Sequence, residues 1–349
     1  MSTQSFLDDI HAQPETLARV CEQYATGKLR ERLRQAAEAI RASRWPVCLT
    51  GMGASYFALA AVKASLDRGG VQSRLEDTAY LAEYGYRSIR KGQPVILVSQ
   101  SGRTGEAIAL TDALRGHSPL IVVTNDPETQ LAGSAEFTFP LLAVPDGGVA
   151  LKTYTASVAL LLMLVAEICG GSAAKVAKAL LAHDNIGKAI ARSERNLDAV
   201  LEFVGASKHT TLLGRGPSIA SALGGALLIK ETAKLYAEGM NAGQFRHGAI
   251  EVIRQRAFVV LFAPQGHTHQ LNLQLSAQLE AAGARVLLVG PATNAAPARR
   301  FVMEIDVPDE YSAPVFEIAP LQFLSHGLAV RHGIQPGTFV NTTPVVLTR

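Results

Sequence analysis

Six consecutive residues, Ser99-Gln-Ser-Gly-Arg-Thr104, combine three hydroxyls, a primary amide and a glycine. The apolar run Pro94-Val-Ile-Leu-Val98 precedes them and a helical pattern follows, so the loop lies where a strand ends and a helix begins. Free backbone N–H groups and the helix dipole favour an anion there. Gly102 lets the backbone approach closely, and Ser99, Gln100, Ser101 and Thr104 can all donate to the oxygens of a phosphate monoester. The loop holds no lysine and lacks the Walker A spacing, which argues against a nucleotide P-loop. The same Ser and Thr residues would equally serve as helix N-caps, and the spacing does not separate the two roles.

Other chemistry is thinly represented. Gly51-Met-Gly-Ala-Ser-Tyr56 is half a dinucleotide fingerprint without its third glycine. No GxSxG surrounds Ser55, Ser99 or Ser101, which disfavours a nucleophile-elbow hydrolase. His267-Thr-His269 offers two imidazoles without a third ligand, so no metal is expected. Cys21, Cys48 and Cys169 stand far apart, with no CxxC pair and no disulfide framework. A reducing cytoplasm is the expected location.

The elements that position the loop recur. Residues 1–45 show helical spacing through Leu17, Val20 and Cys21, then Leu29, Leu33, Ala36 and Ile40. Pro46-Val-Cys-Leu-Thr50 runs into the Gly51 turn, and Leu120-Ile-Val-Val123 into Thr124-Asn-Asp-Pro127. The second half repeats the order: Thr211–Leu213 before Gly214-Arg-Gly216, Ala257–Phe262 before Ala263-Pro-Gln-Gly266, and Arg285–Val289 before Gly290-Pro291. Gly51 matches Gly214, Gly102 matches Gly266 and Ile121 matches Val286, a nearly constant offset of about 164 residues that marks an internal duplication. In the second copy Ser99 becomes Ala263 and Ser101 becomes Gln265. One copy therefore reads as the phosphate binder and the other as scaffold. Continuously apolar strands alternating with helices predict parallel sheets covered on both faces. The expected divisions are 1–45 (helices), 46–190, 191–332 and a tail, 333–349, with the link around Asp184–Asn196.

Composition excludes several classes. The chain has 349 residues, 33 basic and 30 acidic, 48% hydrophobic and 6% aromatic. With no run of five like charges and few aromatics, neither a nucleic-acid binder nor a polybasic membrane anchor is expected. The opening residues show no signal-peptide pattern. Val158–Ala166 is about half of what a bilayer needs and reads as a buried helix.

Taken together, these turns resemble the double-SIS (sugar isomerase) domain family, most closely the isomerase half of glutamine–fructose-6-phosphate aminotransferase. Its stand-alone relatives include amino-sugar-phosphate deaminases and Amadori-product deglycases. Asp9-Ile-His-Ala-Gln-Pro14 resembles the family's opening E-I-x-E-Q-P, and Ser99–Thr104 its SQSGxT loop. Val149-Ala-Leu-Lys-Thr-Tyr-Thr155 resembles VASTKAFT. Leu213-Gly-Arg-Gly216, Ala226-Leu-Leu-Ile-Lys-Glu231, Ala237-Glu238, Arg246-His-Gly248 and Pro320-Leu-Gln322 match LGRG, ALKLKE, AE, KHG and PLQ in order. The likeness does not extend to a glutaminase, since Met1 is not followed by a cysteine.

The resemblance implies tandem three-layer αβα domains of Rossmann-like or flavodoxin-like type, with N-terminal helices and a C-terminal tail over the site. It implies that Ser99, Gln100, Ser101 and Thr104, helped by Ser55, hold the phosphate of a 6-phosphosugar. Gly53, Gly102, Ala150 and Lys152 would line the substrate. Glu231 would move a proton between C1 and C2, and His247 would assist ring opening from the neighbouring subunit of a homodimer. No cofactor is implied. Taken alone, Glu231 reads as a surface charge that pairs with Lys234, and Lys152 as a residue covering a strand end.

The chain departs from the family at three places. Ala54 replaces a threonine of GTSY, Ala150-Leu151 replaces the Ser-Thr of VASTK, and the late Schiff-base lysine falls on Pro344, with no lysine after Lys234. Reactions in which the substrate's own nitrogen forms the imine are then expected: amino-sugar-6-phosphate deamination with isomerisation, or deglycation of an Amadori product. A non-catalytic phosphosugar sensor is the reading from another class.

Overall fold

The computed structural model describes residues 5–343 apart from 208, 255–256 and 293–296, together with 345 and 347. The chain divides into two compact units. The first comprises Glu15–Asp146, Ala150–Leu181 and the tail from Phe339; the second takes in the chain through Pro14, Gly147–Val149 and Ala182–Thr338. The helices before residue 46 are thus shared between the units.

In the first unit, strands β1 (Val47–Gly51), β2 (Ser73–Asp77), β3 (Val95–Val98), β4 (Leu120–Thr124) and β5 (Phe137–Pro140) form one five-stranded sheet, order β2-β1-β3-β4-β5, parallel throughout. β1, β3 and β4 are buried at every residue, as the continuous apolar runs require. β2 and β5 carried no such run because they are edge strands and stay partly exposed. The helices are α2 (Gln13–Ala25), α3 (Gly27–Ala42), α4 (Ala54–Arg68), α5 (Thr78–Tyr80), α6 (Gly105–Leu114), α7 (Gln130–Gly133), α8 (Lys152–Ile168) and α9 (Ala173–Leu180). Leu110 and Leu114 of α6 pack on Val95, Leu97 and Val122. Each such leucine contributes roughly 1.5–3 kcal/mol when fully buried. In α8 every residue but Ala166 is buried, against α3, α4 and α9. The most apolar stretch of the chain is therefore a core helix. Among the described residues no helix is long and apolar enough to cross a membrane.

The second unit repeats the plan. β6 (His209–Gly214), β7 (Tyr236–Asn241), β8 (Phe258–Phe262), β9 (Arg285–Gly290) and β10 (Arg300–Glu304) make a parallel sheet of order β10-β9-β8-β6-β7. With β6 to β10 matched to β1 to β5, the two orders are the same, the doubly wound 2-1-3-4-5 arrangement of flavodoxin-like sheets. Its helices are α1 (Phe6–His11), α10 (Asn185–Arg195), α11 (Leu197–Val204), α12 (Ile219–Ala233), α13 (Ala242–Phe245), α14 (His269–Ala281) and α15 (Pro314–Arg331). α15 packs on α12 and α10. It is also held to the start of the chain: the buried Gln13 Nε2 donates to Gln322 Oε1 at 2.7 Å, and the His11 ring meets Phe323 edge-on.

Candidate phosphosugar site

The carboxyl ends of β1, β3 and β4 are level, with Gly51 opposite Val98 and Val98 opposite Val123. The turns that leave them therefore share one edge of the first sheet, at the point where the strand order reverses. Open α/β sheets place ligands at such switch points.

The Ser99–Thr104 loop is built tightly. Gly102 N–H donates to Ser99 O at 3.1 Å and Asn125 N–H to Gln100 O at 2.9 Å. Gly102 has φ +66°, and a Cβ there would lie 2.5 Å from Thr129 Oγ1 and 3.0 Å from Thr124 Oγ1. Only glycine fits both the left-handed backbone and the space. Ser101 Oγ accepts the Arg103 N–H at 3.2 Å, and the Ser99 and Thr104 hydroxyls lie 3.3 Å apart. Thr104 is the N-cap residue of α6, yet its hydroxyl caps no helix N–H. Thr104 therefore does not act as a side-chain cap of α6, whereas Ser101 does satisfy a backbone N–H of the loop. The N-terminal donors of α6 have no side-chain cap from Thr104, and the hydroxyls face one another across the turn. Among the described residues the Gln100 amide has no partner, and the Arg103 guanidinium pairs with Asp126 at 2.8 Å.

Ser55 lies in the first turn of α4, whose N-cap is Gly53 at φ +51° without a side-chain cap. A Cβ on Gly51 would meet Tyr56 N at 2.9 Å, so this turn also needs its glycine. Ala54 begins the helix and brings no hydroxyl.

Lys152 opens α8 and is buried, its side chain 1% exposed. Its Nζ lies 3.5 Å from Asp146 Oδ1 and donates to Pro145 O at 3.2 Å. Asp146 also accepts the backbone N–H groups of Lys152 and Thr153 and the Thr153 hydroxyl. Lys152 is thus half of a buried ion pair that ties the Pro145-Asp146 turn to the start of α8. Ala150 is half-buried beside it. Nothing in the sequence pointed to Asp146.

The second unit holds Glu231 and His247. Glu231 lies in the last turn of α12, half-buried. Burial pushes its carboxyl up to about 7, against a smaller opposing effect of Lys234 and Lys230. Lys234, at φ +55°, directs its ammonium to the carbonyls of Glu231 and, at 2.6 Å, Thr338, rather than to the Glu231 carboxylate. The surface ion pair that the sequence allowed is therefore not formed. The tail at Thr338 lies against the end of the helix that carries Glu231. His247 sits in the exposed turn after α13, its backbone N–H on Gln244 O at 2.9 Å. Pro344 lies outside the described residues.

The remaining histidines find ordinary places. His269 Nδ1 lies 2.9 Å from Ala263 O, and the ring of His326 stacks on Phe6. Burial lowers the pKa of His326. Among the described residues no three His, Cys, Asp or Glu side chains gather as a metal site.

Comparison with known proteins agrees with this architecture. The chain is 28% identical over 307 residues to glutamine–fructose-6-phosphate aminotransferase [isomerizing] of Zymomonas mobilis, covering 82% of this chain and 49% of that protein. The chain spans about half the length of the curated relatives it matches. Two solved structures share the fold. The C-terminal domain of glucosamine-fructose-6-phosphate aminotransferase from Francisella tularensis gives a TM-score of 0.82 at 21% identity, covering 95% of this chain and 97% of that one. Glucosamine-6-phosphate deaminase from Thermotoga maritima gives 0.80 at 20%, covering 98% and 99%. The SIS domain model matches residues 40–167 and 205–331, one copy in each sheet-bearing half. Matched twice, over more than half its length, the chain belongs to the SIS domain family.

Proposed function

We propose that the protein is an enzyme of 6-phosphosugars, an amino-sugar-6-phosphate deaminase that works by isomerisation. The observation that carries this reading is the Glu231 carboxyl, drawn to about 7 by burial and without an ion pair to Lys234. A carboxylate of that strength removes a proton α to a carbonyl more readily than a fully solvated one and can return it at neutral pH. The Ser99–Thr104 loop supports the phosphate end of the reading, with Ser55 beside it on the same sheet edge.

The steps follow from the substrate. His247 assists opening of the sugar ring by moving the proton between the ring oxygen and the anomeric hydroxyl. Glu231 takes the C2 proton of the open-chain aldehyde. The C2–H electron pair forms the C1=C2 bond while the carbonyl pair moves to O1, which takes a proton, giving an enolamine that bears the C2 nitrogen. Returning the proton to C1 gives an imine at C2, and water hydrolyses it to the ketose phosphate and ammonia. The substrate's own nitrogen carries the imine, which suits a chain with Pro344 where relatives have a lysine. The exposed His247 turn is read as serving the site of a second copy in a homodimer.

Ammonium release from glucosamine 6-phosphate by the purified protein tests the reading, with Glu231→Gln as control. Release that the variant abolishes is expected. No release from the wild type, with phosphosugar binding intact, would overturn deamination and move the test to fructosamine 6-phosphates.

A further inference from the structure

We propose that the second unit carries its own anion site, formed by Arg215 and Arg246 at the switch point of its sheet, which takes a small phosphomonoester dianion. The Ser99–Thr104 loop belongs to the other unit, and the arginine site does not depend on the proposed activity.

The position comes from the duplication. Arg215 follows Gly214, the last residue of β6, and β6 pairs with β8 on one side and β7 on the other. The strand order reverses at β6, as it does at β1 in the first unit. The equivalent edge of the first sheet bears the phosphate loop. In the second unit the matching loop, Ala263–Thr268, has lost two hydroxyls, and its His267 N–H is taken by the Glu310 carboxylate at 2.8 Å. An anion arriving at this edge would therefore meet guanidinium groups rather than that amide.

Arg215 is held in place. Its Nε donates to Asn272 Oδ1 at 3.0 Å. Asn272 is buried and anchored in turn by its Nδ2, which donates to Phe262 O at 3.0 Å. One terminal nitrogen of Arg215 lies over Gly243, where a Cβ would come within 2.7 Å. The missing side chain leaves that room. Arg246 follows three residues later on the same turn. Arg246 thus shares the turn that Arg215 covers, and burial, then the charge of Arg246, depress the pKa of Arg215.

Neither arginine has a carboxylate within ion-pair distance among the described residues. Glu310 and Glu317 make their hydrogen bonds elsewhere. Glu310 accepts the His267 N–H, while Glu317 accepts the hydroxyls of Ser218 at 2.8 Å and Ser221 at 2.5 Å. Two neighbouring guanidinium groups, one fixed by a buried amide and neither neutralised, match a phosphoryl group, whose oxygens accept forked N–H donors. A dianion relieves the repulsion between them.

The test is isothermal titration of the full chain with inorganic phosphate at low ionic strength and pH 7.5. Two sites per chain are expected. Arg246→Gln, at an exposed position, should weaken one of them about tenfold or more, as loss of a charged hydrogen-bond partner does. Arg215→Gln should do the same, and Ser101→Ala with Thr104→Ala should weaken only the other. If the loop variant removes no site while Arg246→Gln removes one, the arginine site stands and the phosphosugar reading of the loop falls. Failure of both Arg246→Gln and Arg215→Gln to weaken a site overturns the proposal. So does one site weakened by both sets of variants, because the arginines would then serve the first site.

Discussion

The Glu310 carboxylate accepts the backbone N–H of His267 at 2.8 Å. The duplication aligns His267 with Arg103, whose N–H goes to Ser101 Oγ at 3.2 Å in the first copy. Where the second copy has Gln265 in place of that serine, a glutamate from a distant part of the chain supplies the acceptor. The two loops thus meet one backbone requirement in opposite ways: one with a neutral hydroxyl that leaves room for an anion, the other with an anion of its own.

Gly102→Ala should fail on two counts. The residue would need φ +66°, and its Cβ would press on Thr129 and Thr124. We expect a loss of about 1–3 kcal/mol in unfolding free energy from the strain, together with loss of phosphate binding at the loop. Chemical denaturation and phosphate titration of the same variant check both.

The activity should fall on acidification. Glu231 acts as a base only when deprotonated, and burial sets its carboxyl near 7. The turnover rate should therefore drop as pH falls through about 7 and level off above it. Glu231→Gln should lower turnover by about a hundredfold or more. A flat profile between pH 5.5 and 8.5 in the wild type would contradict the assignment.

Glu317 makes stability depend on pH. Burial raises its carboxyl to about 7, against the opposing hydrogen bonds of Ser221 and Ser218. The native state then holds the proton more tightly than the unfolded chain, so this contribution is fully favourable below about 4.5. It is lost as pH rises through 7. The loss is on the order of 3 kcal/mol for a shift of this size. Glu317→Gln keeps an acceptor for one serine and a donor for the other. Its unfolding free energy should change less between pH 5 and 8 than that of the wild type. Urea melts at the two pH values measure the difference, with the slope from Glu231 remaining in both proteins.

Lys152→Met should be costly. The lysine and Asp146 are a buried pair with side chains 1% and 3% exposed. Removing the lysine takes the ammonium away from a buried carboxylate, a loss of about 3–5 kcal/mol. Adding Asp146→Asn should recover part of it. Equal stability of wild type and single variant would show that the pair contributes nothing.

Much of this was legible because it is local. The central strands announced themselves as continuous apolar runs, and Gly51, Gly102, Gly214 and Gly266 marked the turns by type and spacing. The duplication was readable because the glycines that the turns require persisted while the hydroxyls did not. The edge strands β2, β5, β7 and β10 were not seen, since partly exposed strands carry mixed residues. Glu310 and Glu317 were also missed, for another reason. Glu310 meets His267 and Glu317 meets Ser218 across long stretches of chain, and no local pattern encodes such a partner. The ion pair read between Glu231 and Lys234 failed because Lys234 takes up φ +55° at the helix end and turns its ammonium to carbonyls.

The hydrogen bond from Gln13 to Gln322 has a consequence for how the molecule is made. The second unit is discontinuous: α1 belongs with a sheet whose first strand begins at His209, and its buried partner α15 ends at Arg331. On the ribosome, α1 must wait until the chain through α15 has been made before its native neighbours exist. During that interval its apolar face stays uncovered, while the first unit can already close around β1 to β5. The second unit therefore closes only after α15 has been made, whereas the strands of the first sheet are complete once Pro140 has been made.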